Sequence, residues 1–398
     1  MPATSTASGS ATETESGPGA RAKPIRVFVA LAHGFGARSW TERWARDKIP
    51  GINERLPYGY YLAADGSCTV DYSEDGNEGH LMKMARLSLR RTLGFDPIHV
   101  LRNRRAIISA DVIWTHTELE HLGVLMLLKA LPRKRRPKVI AQSVWLFDRW
   151  HELSWAKRWL YRKLLEQADI LTVLSPENLK VARALFPQKR VELILFGISS
   201  EQTETPVRRG NHVPARIVSL GNDHHRDWET LIESVKDWNG CEVRIASRQI
   251  PSDLVATASN VRLVGPASAR EILALYAWAD MVVVSLKPNL HVSGITVIAE
   301  AVALGVPVIC TDTGGLRAYF SDREVRYVRP NDPIDLRRAI EEFANDQELR
   351  FATAIRAQTH IRNADLSSRA FARQHRDLSW ELIRKGGLAN GETYSRSN

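Results

Sequence analysis

The stretch SGITVIAEAVALGVPVICTDTGG, residues 293–315, decides the fold of this chain. Small residues open it, so backbone N–H groups there can approach a ligand closely. A helix follows, and its positive N-terminal end suits a phosphate. Gly305 stands where a helix C-cap belongs, Pro307 prevents continuation of the helix, and residues 306–310 form an apolar run typical of a buried parallel strand. Residues 314–315 are both glycine and form a second loop open to close approach.

The length and composition of the chain predict a globular protein of two domains. Its 398 residues suffice for two domains, and 44% hydrophobic with 25% charged residues is an ordinary globular balance. No apolar run is long enough to cross a bilayer. Cys68, Cys241 and Cys310 show neither metal-ligand nor disulfide spacing, which fits a reducing cytoplasm.

The two ends of the chain are predicted to be disordered tails. Residues 1–22 consist mainly of small and polar residues and lack the basic-then-apolar layout of a signal peptide. Residues 387–398 are similarly polar. We therefore expect the folded part to lie between residues 23 and 386.

Basic residues are concentrated in the first half of the chain. The formal net charge is +10, and residues 81–190 alone hold 22 Lys and Arg against 9 Asp and Glu, an excess of 13. Such a face can attract nucleic acid, an anionic membrane or a phosphorylated acceptor, or it can be a solvated surface. No nucleic-acid recognition motif accompanies it, so no nucleic-acid partner is expected. A cytoplasmic protein, peripheral on the inner face of a membrane, fits this pattern.

A cluster of tryptophans lies within this basic half. Residues 145, 150, 155 and 159 are all tryptophan, and the segment also carries Arg149, Lys157, Arg158, Arg162 and Lys163. Basic and aromatic residues at helical spacing suit a helix lying in a membrane interface. They also suit a core helix with a basic solvent face, and the ordinary core stripe supplied by three nearby leucines favours that interpretation.

Alternating strand and helix signals predict a doubly wound α/β architecture. Residues 25–32 (IRVFVALA) form an apolar β-branched run, residues 33–37 (HGFGA) a glycine loop, and a helical pattern begins near Thr41. Residues 106–114 (AIISADVIW) predict another strand, which leads to His116. A histidine at the carboxyl end of a parallel strand lies where such sheets bind ligands.

A second α/β unit begins after a polar linker. Residues 215–220 (ARIVSL) predict a strand, residues 221–228 a loop, and Glu229 the start of a helix. The expected division of the chain is a tail at 1–22, a first α/β domain at 23–198, a linker at 199–212, a second α/β domain at 213–369, a helix at 370–386, and a tail at 387–398.

The opening stretch resembles the donor site of GT-B glycosyltransferases of the retaining family-4 type, the glycosyl transferases group 1. The family form "EAxAxGxPVxxTDxGG" is matched by Glu300-Ala301, Gly305, Pro307-Val308, Thr311-Asp312 and Gly314-Gly315. The family usually has a second acid eight residues before the helix glutamate. That place is Val292 here, directly after His291. The resemblance implies two Rossmann-like doubly wound domains facing each other across a cleft. Residues 23–198 would be the acceptor domain, residues 213–369 the nucleotide-sugar domain, and the helix at 370–386 would cross back to the first domain.

The resemblance also implies roles for particular residues. Glu300 would accept hydrogen bonds from the ribose hydroxyls of the donor, and His116 would lie near the transferred sugar. Arg226 takes the place of a family lysine that grips the diphosphate, whereas Asn222 takes the place of the family arginine and Arg248 could supply the missing charge. The predicted catalytic residues are His116, Arg226 and Glu300. The other predicted donor-binding residues are Gly36, Asn222, Arg248, Ser293, Gly294, Ile295 and Thr296, and His33 and Gly34 are predicted on the acceptor side.

The function implied is transfer of a sugar from a nucleotide-sugar donor to a glycan, lipid-linked or small-molecule acceptor, in polysaccharide or glycoconjugate biosynthesis. Family resemblance implies a hexosyltransferase-like enzyme (EC 2.4) that retains the anomeric configuration and needs no metal or other cofactor. The triplet Asp223-His224-His225 predicts no metal site, because adjacent residues rarely converge on one ion. The alternatives are another GT-B enzyme, such as a nucleotide-sugar epimerase or a phosphorylase, and a non-catalytic basic binding protein.

Overall fold

The computed structural model describes residues 23–133, 136–199, 203–266 and 268–390. The predicted tail at 1–22 lies outside these residues, as do residues 391–398. The last helix reaches Asn390 and so extends into the predicted C-terminal tail.

The first lobe is a parallel sheet flanked by helices. Its strands are β1 (Ile25–Ala30), β2 (Cys68–Tyr72), β3 (Val112–Thr115), β4 (Lys138–Ser143), β5 (Ile170–Val173) and β6 (Val191–Leu193). Its helices are α1 (Ala37–Ala45), α2 (His80–Leu93), α3 (Pro97–Arg102), α4 (Arg104–Ser109), α5 (Glu118–Lys129), α6 (Trp155–Leu165) and α7 (Pro176–Leu185). The strand order is β2-β1-β3-β4-β5-β6, with every neighbouring pair parallel.

The second lobe repeats this plan. Its strands are β7 (Ala215–Leu220), β8 (Cys241–Ala246), β9 (Val261–Val264), β10 (Met281–Val284), β11 (Val308–Thr311) and β12 (Arg326–Val328). Its helices are α8 (Trp228–Val235), α9 (Ser252–Ala256), α10 (Ala269–Trp278), α11 (Ile295–Ala303), α12 (Pro333–Asn345) and α13 (Gln347–Asn363). The strand order is β12-β11-β10-β7-β8-β9, all parallel. This is the doubly wound order in which the chain reverses its direction of growth between β7 and β10.

Local sequence signals explain where the helices of the second lobe begin and end. Gly294 caps α11 with a φ of 87°, a left-handed conformation that costs glycine least. Asp227 caps α8 by accepting a hydrogen bond from the backbone N–H of Thr230 at 3.1 Å. Gly305 follows α11 with a φ of 67°, as the C-cap prediction requires.

The strand predicted at residues 106–114 is wrong in its first half. Residues 104–109 form α4, and the strand begins only at Val112. The run AIIS is apolar enough for either element, and a short apolar run does not distinguish a strand from a buried helix turn. Ile107 of α4 is buried, whereas Ile108 remains exposed.

The final helix, α14 (Ser368–Asn390), packs against the first lobe. The indole N–H of Trp114 in β3 donates to Ser379 Oγ at 2.8 Å, and Arg376 forms an ion pair with Asp65 at 2.6 Å. Phe371 is fully buried in a cluster that contains core residues of both sheets. The chain therefore returns to the lobe in which it began, which ties the two lobes together.

Among the described residues, no helix combines the length and the apolar character needed to cross a bilayer.

Candidate active site between the lobes

The second sheet places two loops side by side at its carboxyl edge. β7 and β10 are neighbours in the sheet although they are far apart in the chain. The loop after β7 carries Arg226, and the loop after β10 leads to Gly294 and α11. An isolated bridge between Arg226 and Leu286 joins the two loops. Open α/β sheets bind ligands at the crevice where the strand order reverses, and this is that position.

Arg226 is a buried guanidinium in this crevice. The residue is 5% exposed, and its Nε and Nη1 atoms have no hydrogen-bond partner among the described residues. Burial lowers the pKa of Arg226, although Asp223 nearby acts in the opposite direction. An unpaired buried cation is costly, so the site is electrostatically incomplete and favours an anionic ligand.

Two glycines flank the Arg226 guanidinium at close range. A Cβ atom at Gly221 would lie 2.2 Å from Arg226 Nε, and one at Gly294 would lie 2.8 Å from Nη1. Any other residue at either position would displace the guanidinium. Glycine at these two positions therefore makes room for the Arg226 side chain.

The start of α11 lies beside this guanidinium. The first N–H groups of a helix have no acceptor within the helix and carry partial positive charge. Ser293 is buried, donates its backbone N–H to Asn289 Oδ1 at 3.1 Å, and has a hydroxyl without a partner among the described residues. Ile295 is buried and Thr296 is exposed. Arg226, Ser293 and Gly294 are thus brought together.

Glu300 lies further along the same helix and contacts both lobes. Its Oε1 accepts the backbone N–H of Ile52, from the first lobe, at 2.9 Å, and its Oε2 accepts the hydroxyl of Tyr276 at 2.8 Å. Burial raises the pKa of Glu300 to about 7. A Cβ atom at Gly51 would lie 2.4 Å from Glu300 Oε1, so the first-lobe backbone closes directly over this carboxylate.

A histidine forms a second contact between the lobes. His291 Nδ1 lies 3.0 Å from Asp148 of the first lobe, and its Nε2 lies 3.0 Å from Asp223 of the second. The backbone N–H of Leu290 also donates to Asp148 Oδ1 at 2.5 Å. We call Asp148, Asp223 and His291 the interlobe clasp.

The clasp is held by charge. Burial alone would lower the pKa of His291, but hydrogen bonds and charge from Asp148 and Asp223 raise it to about 9. Burial alone would raise the pKa of Asp223, but its hydrogen bonds with His225 and His291 hold that pKa far below its ordinary value. His291 therefore carries a positive charge at neutral pH and contacts one carboxylate from each lobe.

The side chains around the clasp could also bind a cation. One ligand atom each from Asp148, His225 and His291 lie within 4.8 Å of one another, and so do those of Asp223, His224 and His225. Imidazole and carboxylate groups suit zinc. Both ring nitrogens of His291 already contact carboxylates, so an ion would have to displace a proton from this histidine.

Asn222 and Arg248 lie at the rim of the second sheet. Asn222 Oδ1 accepts the backbone N–H of Arg248 at 2.7 Å, and both residues are exposed. Asn222 therefore holds the loop after β8 in place. The Arg248 side chain is in solvent, unlike Arg226.

The glycine loop of the first lobe is occupied by an acid of the same lobe. Asp75 accepts the backbone N–H of Gly34 at 2.8 Å and that of Gly36 at 3.1 Å. His33 lies 3.7 Å from Glu78, and its ring meets His99 edge-on with centroids 5.4 Å apart. Two donors that the sequence assigned to substrates are thus bound within the protein.

His116 is enclosed by aromatic side chains. Its ring stacks on Tyr58 with centroids 3.4 Å apart, and its Nδ1 lies 3.1 Å from the hydroxyl of Tyr60. Burial lowers its pKa to about 3, so the imidazole is neutral. The residue lies directly after β3, at the predicted strand end, but it is only 7% exposed.

Sequence reasoning missed several residues of this region. His291 stands out in the sequence by its position before α11, but no pattern indicates that it meets Asp148. Ile52 and Tyr276 carry no recognisable signal, since one contributes only a backbone N–H and the other has the appearance of a core tyrosine. These contacts join residues 142 or more positions apart across the lobes, or 24 apart within the second lobe.

Comparison with known proteins finds a family match for part of the sequence and structures of similar fold. Residues 254–360 match the family described as glycosyl transferases group 1. No curated protein sequence matches the chain.

Several solved structures superpose on nearly the whole chain. Sucrose-phosphate synthase from Thermosynechococcus elongatus has a TM-score of 0.69 at 17% identity, covering 90% of this chain and 100% of its own. The Anabaena protein HepE, in complex with UDP and glucose, has a TM-score of 0.61 at 13% identity, covering 88% and 98%. A glycosyltransferase from Rickettsia africae has a TM-score of 0.59 at 12% identity, covering 91% and 99%.

These likenesses agree with the two parallel sheets and the crevice between the lobes. The fold predicted from the sequence is confirmed, and so is the resemblance carried by residues 293–315, which lie inside the matched segment. The chain has the GT-B fold, and its residues 254–360 match the family described as glycosyl transferases group 1.

Proposed function

We propose that the protein transfers a sugar from a nucleotide-sugar donor, with the diphosphate of the donor bound by Arg226 and the start of α11. The observation that supports this most is the buried Arg226 guanidinium, whose Nε and Nη1 atoms lack partners among the described residues. The N–H groups of a guanidinium form charge-assisted hydrogen bonds to phosphate oxygens. The positive end of α11 adds backbone N–H groups to the same anion.

The same arrangement supports a chemical role for Arg226. As the bond between sugar and diphosphate breaks, negative charge grows on the leaving group. A fixed cation in a water-poor crevice stabilises that charge more strongly than it stabilises the intact donor. Arg226 is already desolvated by the protein, so little further reorganisation is needed during the reaction. Arg226 then acts on the leaving group and binds the donor as well.

Glu300 is proposed to bind the ribose of the donor. Its two carboxylate oxygens, which accept from Ile52 and Tyr276 in this structure, can accept from two hydroxyls. Donor binding would then replace the Ile52 N–H by a ribose hydroxyl and move residues 50–53 away from α11. The closed contact is thus the donor-free arrangement in this proposal.

His116, His33, Gly34 and Gly36 take positioning roles in this proposal. The neutral, stacked imidazole of His116 shapes the floor of the first-lobe crevice, and its Nδ1 is already engaged by Tyr60. Asp75 orders the glycine loop in the way that a bound anion would. The acceptor is proposed to bind on this side, opposite the donor.

The finer parts of the assignment rest on family resemblance. We propose retention at the anomeric carbon, no requirement for a metal or other cofactor, and action in the cytoplasm. The UDP complex of HepE makes uridine nucleotides the first donors to test.

The test is donor binding by wild-type protein and by Arg226→Ala, measured as a thermal shift against UDP-, GDP- and other nucleotide sugars. A bound ligand at about 100 times its dissociation constant adds about 2.7 kcal/mol of stability. We expect one nucleotide class to stabilise the wild type and none to stabilise Arg226→Ala. Arg262→Ala, which removes an exposed arginine from β9 of the same lobe, is the matched control and should bind like the wild type.

Release of nucleoside diphosphate provides the second readout. Loss of one preorganised cation at a leaving group reduces turnover by about 100-fold or more. Equal turnover in Arg226→Ala and wild type would refute the assignment. Conversion of the sugar without release of nucleoside diphosphate would instead indicate an epimerase.

A further inference from the structure

Helix α2 of the first lobe stands largely in solvent although it carries many large apolar side chains. Leu81 is 84% exposed and Met84 is 56% exposed, one helical turn apart. Met82, Leu87 and Leu89 are also exposed, at 47%, 42% and 41%. Arg86 is the only residue of this helix that is buried. An apolar surface of this kind on one helix is a sign of an interaction site.

The helix is held in this exposed position by ion pairs. Arg86 contacts Glu78 at 2.8 Å and Asp96 at 2.9 Å, and all three side chains are at most 10% exposed. Arg102 of α3 also reaches Glu78, at 3.2 Å. Leu81 and Met84 are therefore exposed on a helix whose position these ion pairs fix.

The charge on α2 is of one sign. Its sequence, HLMKMARLSLRRTL, contains Lys83, Arg86, Arg90 and Arg91 and no acidic residue. The acid nearest in sequence, Glu78, is neutralised by Arg86 and Arg102. The exposed apolar residues thus share the helix with Lys83, Arg90 and Arg91, whereas Arg86 is paired with Glu78 and Asp96.

Helix α6 presents a second surface of the same kind. Trp155 is 78% exposed and Trp159 is 60% exposed, and their spacing of four places them on one face. The helix sequence, WAKRWLYRKLL, also has basic residues and no acid. The hydroxyl of Tyr161 in α6 donates to the carbonyl of Leu93, the last residue of α2, at 2.6 Å. This hydrogen bond joins α6 to the C-terminal end of α2.

We propose that α2 and α6 together dock the protein on an anionic lipid bilayer, with Leu81 and Met84 inserted among the acyl chains and the tryptophans at the headgroup level. Exposed apolar residues on a cationic helix, with tryptophan beside them, match the properties of the membrane interface. Negative headgroups neutralise the lysine and arginine side chains. The inference extends the proposed function by placing the acceptor side next to lipid, but it does not depend on the transfer reaction.

The same features disfavour the other partners for this surface. A symmetric dimer through α2 would bring two copies of an acid-free cationic helix together, which like charges oppose. Nucleic acid would pair with the basic side chains but would leave Leu81 and Met84 in water. An anionic bilayer neutralises the basic side chains and also covers the exposed apolar side chains.

The test is flotation of the full chain with vesicles of phosphatidylcholine mixed with phosphatidylglycerol, compared with pure phosphatidylcholine. Wild-type protein should bind the mixed vesicles and release from them in high salt, because attraction between surface charges is screened. Leu81→Ser with Met84→Ser should weaken binding by about tenfold or more. Lys83→Gln should weaken it by roughly fivefold.

The matched control removes an equally exposed apolar residue elsewhere. Ile334, at the start of α12, is 72% exposed, and Ile334→Ser should bind vesicles like the wild type. All these positions are exposed, so the variants should keep the fold, which circular dichroism checks.

A fluorescent label reports insertion directly. The native cysteines Cys68, Cys241 and Cys310 are all buried, so a single exposed cysteine can be labelled selectively. Leu81→Cys carrying an environment-sensitive fluorophore should shift to shorter wavelength on mixed vesicles, whereas labelled Ile334→Cys should not shift.

Three results would overturn the proposal. Wild-type protein could fail to bind the mixed vesicles, or the Leu81/Met84 variant could bind as tightly as the wild type. Self-association that disappears in the Leu81/Met84 variant, without vesicle binding, would show that a second copy covers this surface.

Discussion

Replacement of His291 by glutamine removes the charge from the interlobe clasp. Glutamine keeps a polar side chain of similar reach but cannot carry a proton between Asp148 and Asp223. The His291 side chain is 2% exposed and that of Asp148 is 6% exposed, so solvent screens the contact between them very little. We expect the variant to be less stable than the wild type at neutral pH.

The pKa of His291 sets the size of this effect. It is raised from 6.5 to about 9, a change worth roughly 3 kcal/mol of stability at 1.36 kcal/mol per pH unit. The raised pKa of His291 gives its full stabilisation of the folded state below pH 6.5, the pKa of histidine in the unfolded chain. The contribution is lost progressively as the pH rises through about 9.

Other groups that titrate do not obscure this window. The pKa values of Glu120 and Glu300 are raised to about 7 by burial, so their effect on stability is complete by about that pH. His116, His121 and His375 have lowered pKa values and are neutral in the folded and unfolded states alike above pH 6.5. Taking the difference between wild type and variant cancels these shared terms.

The assay is urea unfolding of the wild type and His291→Gln, from near pH 6.5 to above pH 9. The free-energy difference between them should shrink by roughly 3 kcal/mol across that range. His151→Gln, which replaces an exposed histidine, should show no such dependence. A constant difference between wild type and His291→Gln at all pH values would refute the charged clasp.

Two further predictions concern the donor crevice. Gly294→Ala should abolish donor binding, because its Cβ would lie 2.7 Å from Val284 and 2.8 Å from Arg226 Nη1, at a φ of +87°. Gly265→Ala is the control, since its Cβ would meet open space, and it should bind normally. Both variants are checked by titration with the nucleotide that stabilises the wild type most. Turnover should survive removal of divalent cations by a chelator, since His291 is expected to hold a proton in the clasp; loss of activity on chelation, restored by zinc, would instead establish a metal site at Asp148, His225 and His291.

The architecture was predictable because it rests on local patterns. Apolar β-branched runs, glycine loops and helical periodicity recur along the chain, and they need no long-range information. The close match over residues 293–315 located the start of α11 and Gly294. Arg226 was identified by counting back from α8, and the structure shows that residue buried beside Gly294.

The contacts between the lobes could not be predicted. Glu300 and Ile52 are 248 residues apart, and Asp148 and His291 are 143 apart. Their approach depends on how two separately formed sheets pack, which no local pattern encodes. The enclosure of His116 by Tyr58 and Tyr60 is of the same kind, since a histidine after a strand has the same sequence signal whether it is open or stacked.

The exposure of the tryptophan side chains likewise could not be predicted from the sequence. The helical spacing of the tryptophans suits both a core helix and an interfacial helix, and the leucine stripe favours the core helix. In the structure Trp150 is 8% exposed, whereas Trp155 and Trp159 are 78% and 60% exposed. Leu164 and Leu165 form the buried side of α6, so the helix has both an ordinary core face and an unusual outer one.

The most direct measurement is a crystal structure of the protein with the nucleoside diphosphate that stabilises it most. Our account predicts diphosphate oxygens hydrogen-bonded to Nε and Nη1 of Arg226, ribose hydroxyls on Glu300, and residues 50–53 moved off that carboxylate. A nucleotide bound away from the crevice between β7 and β10, with Arg226 still unpaired, would contradict it.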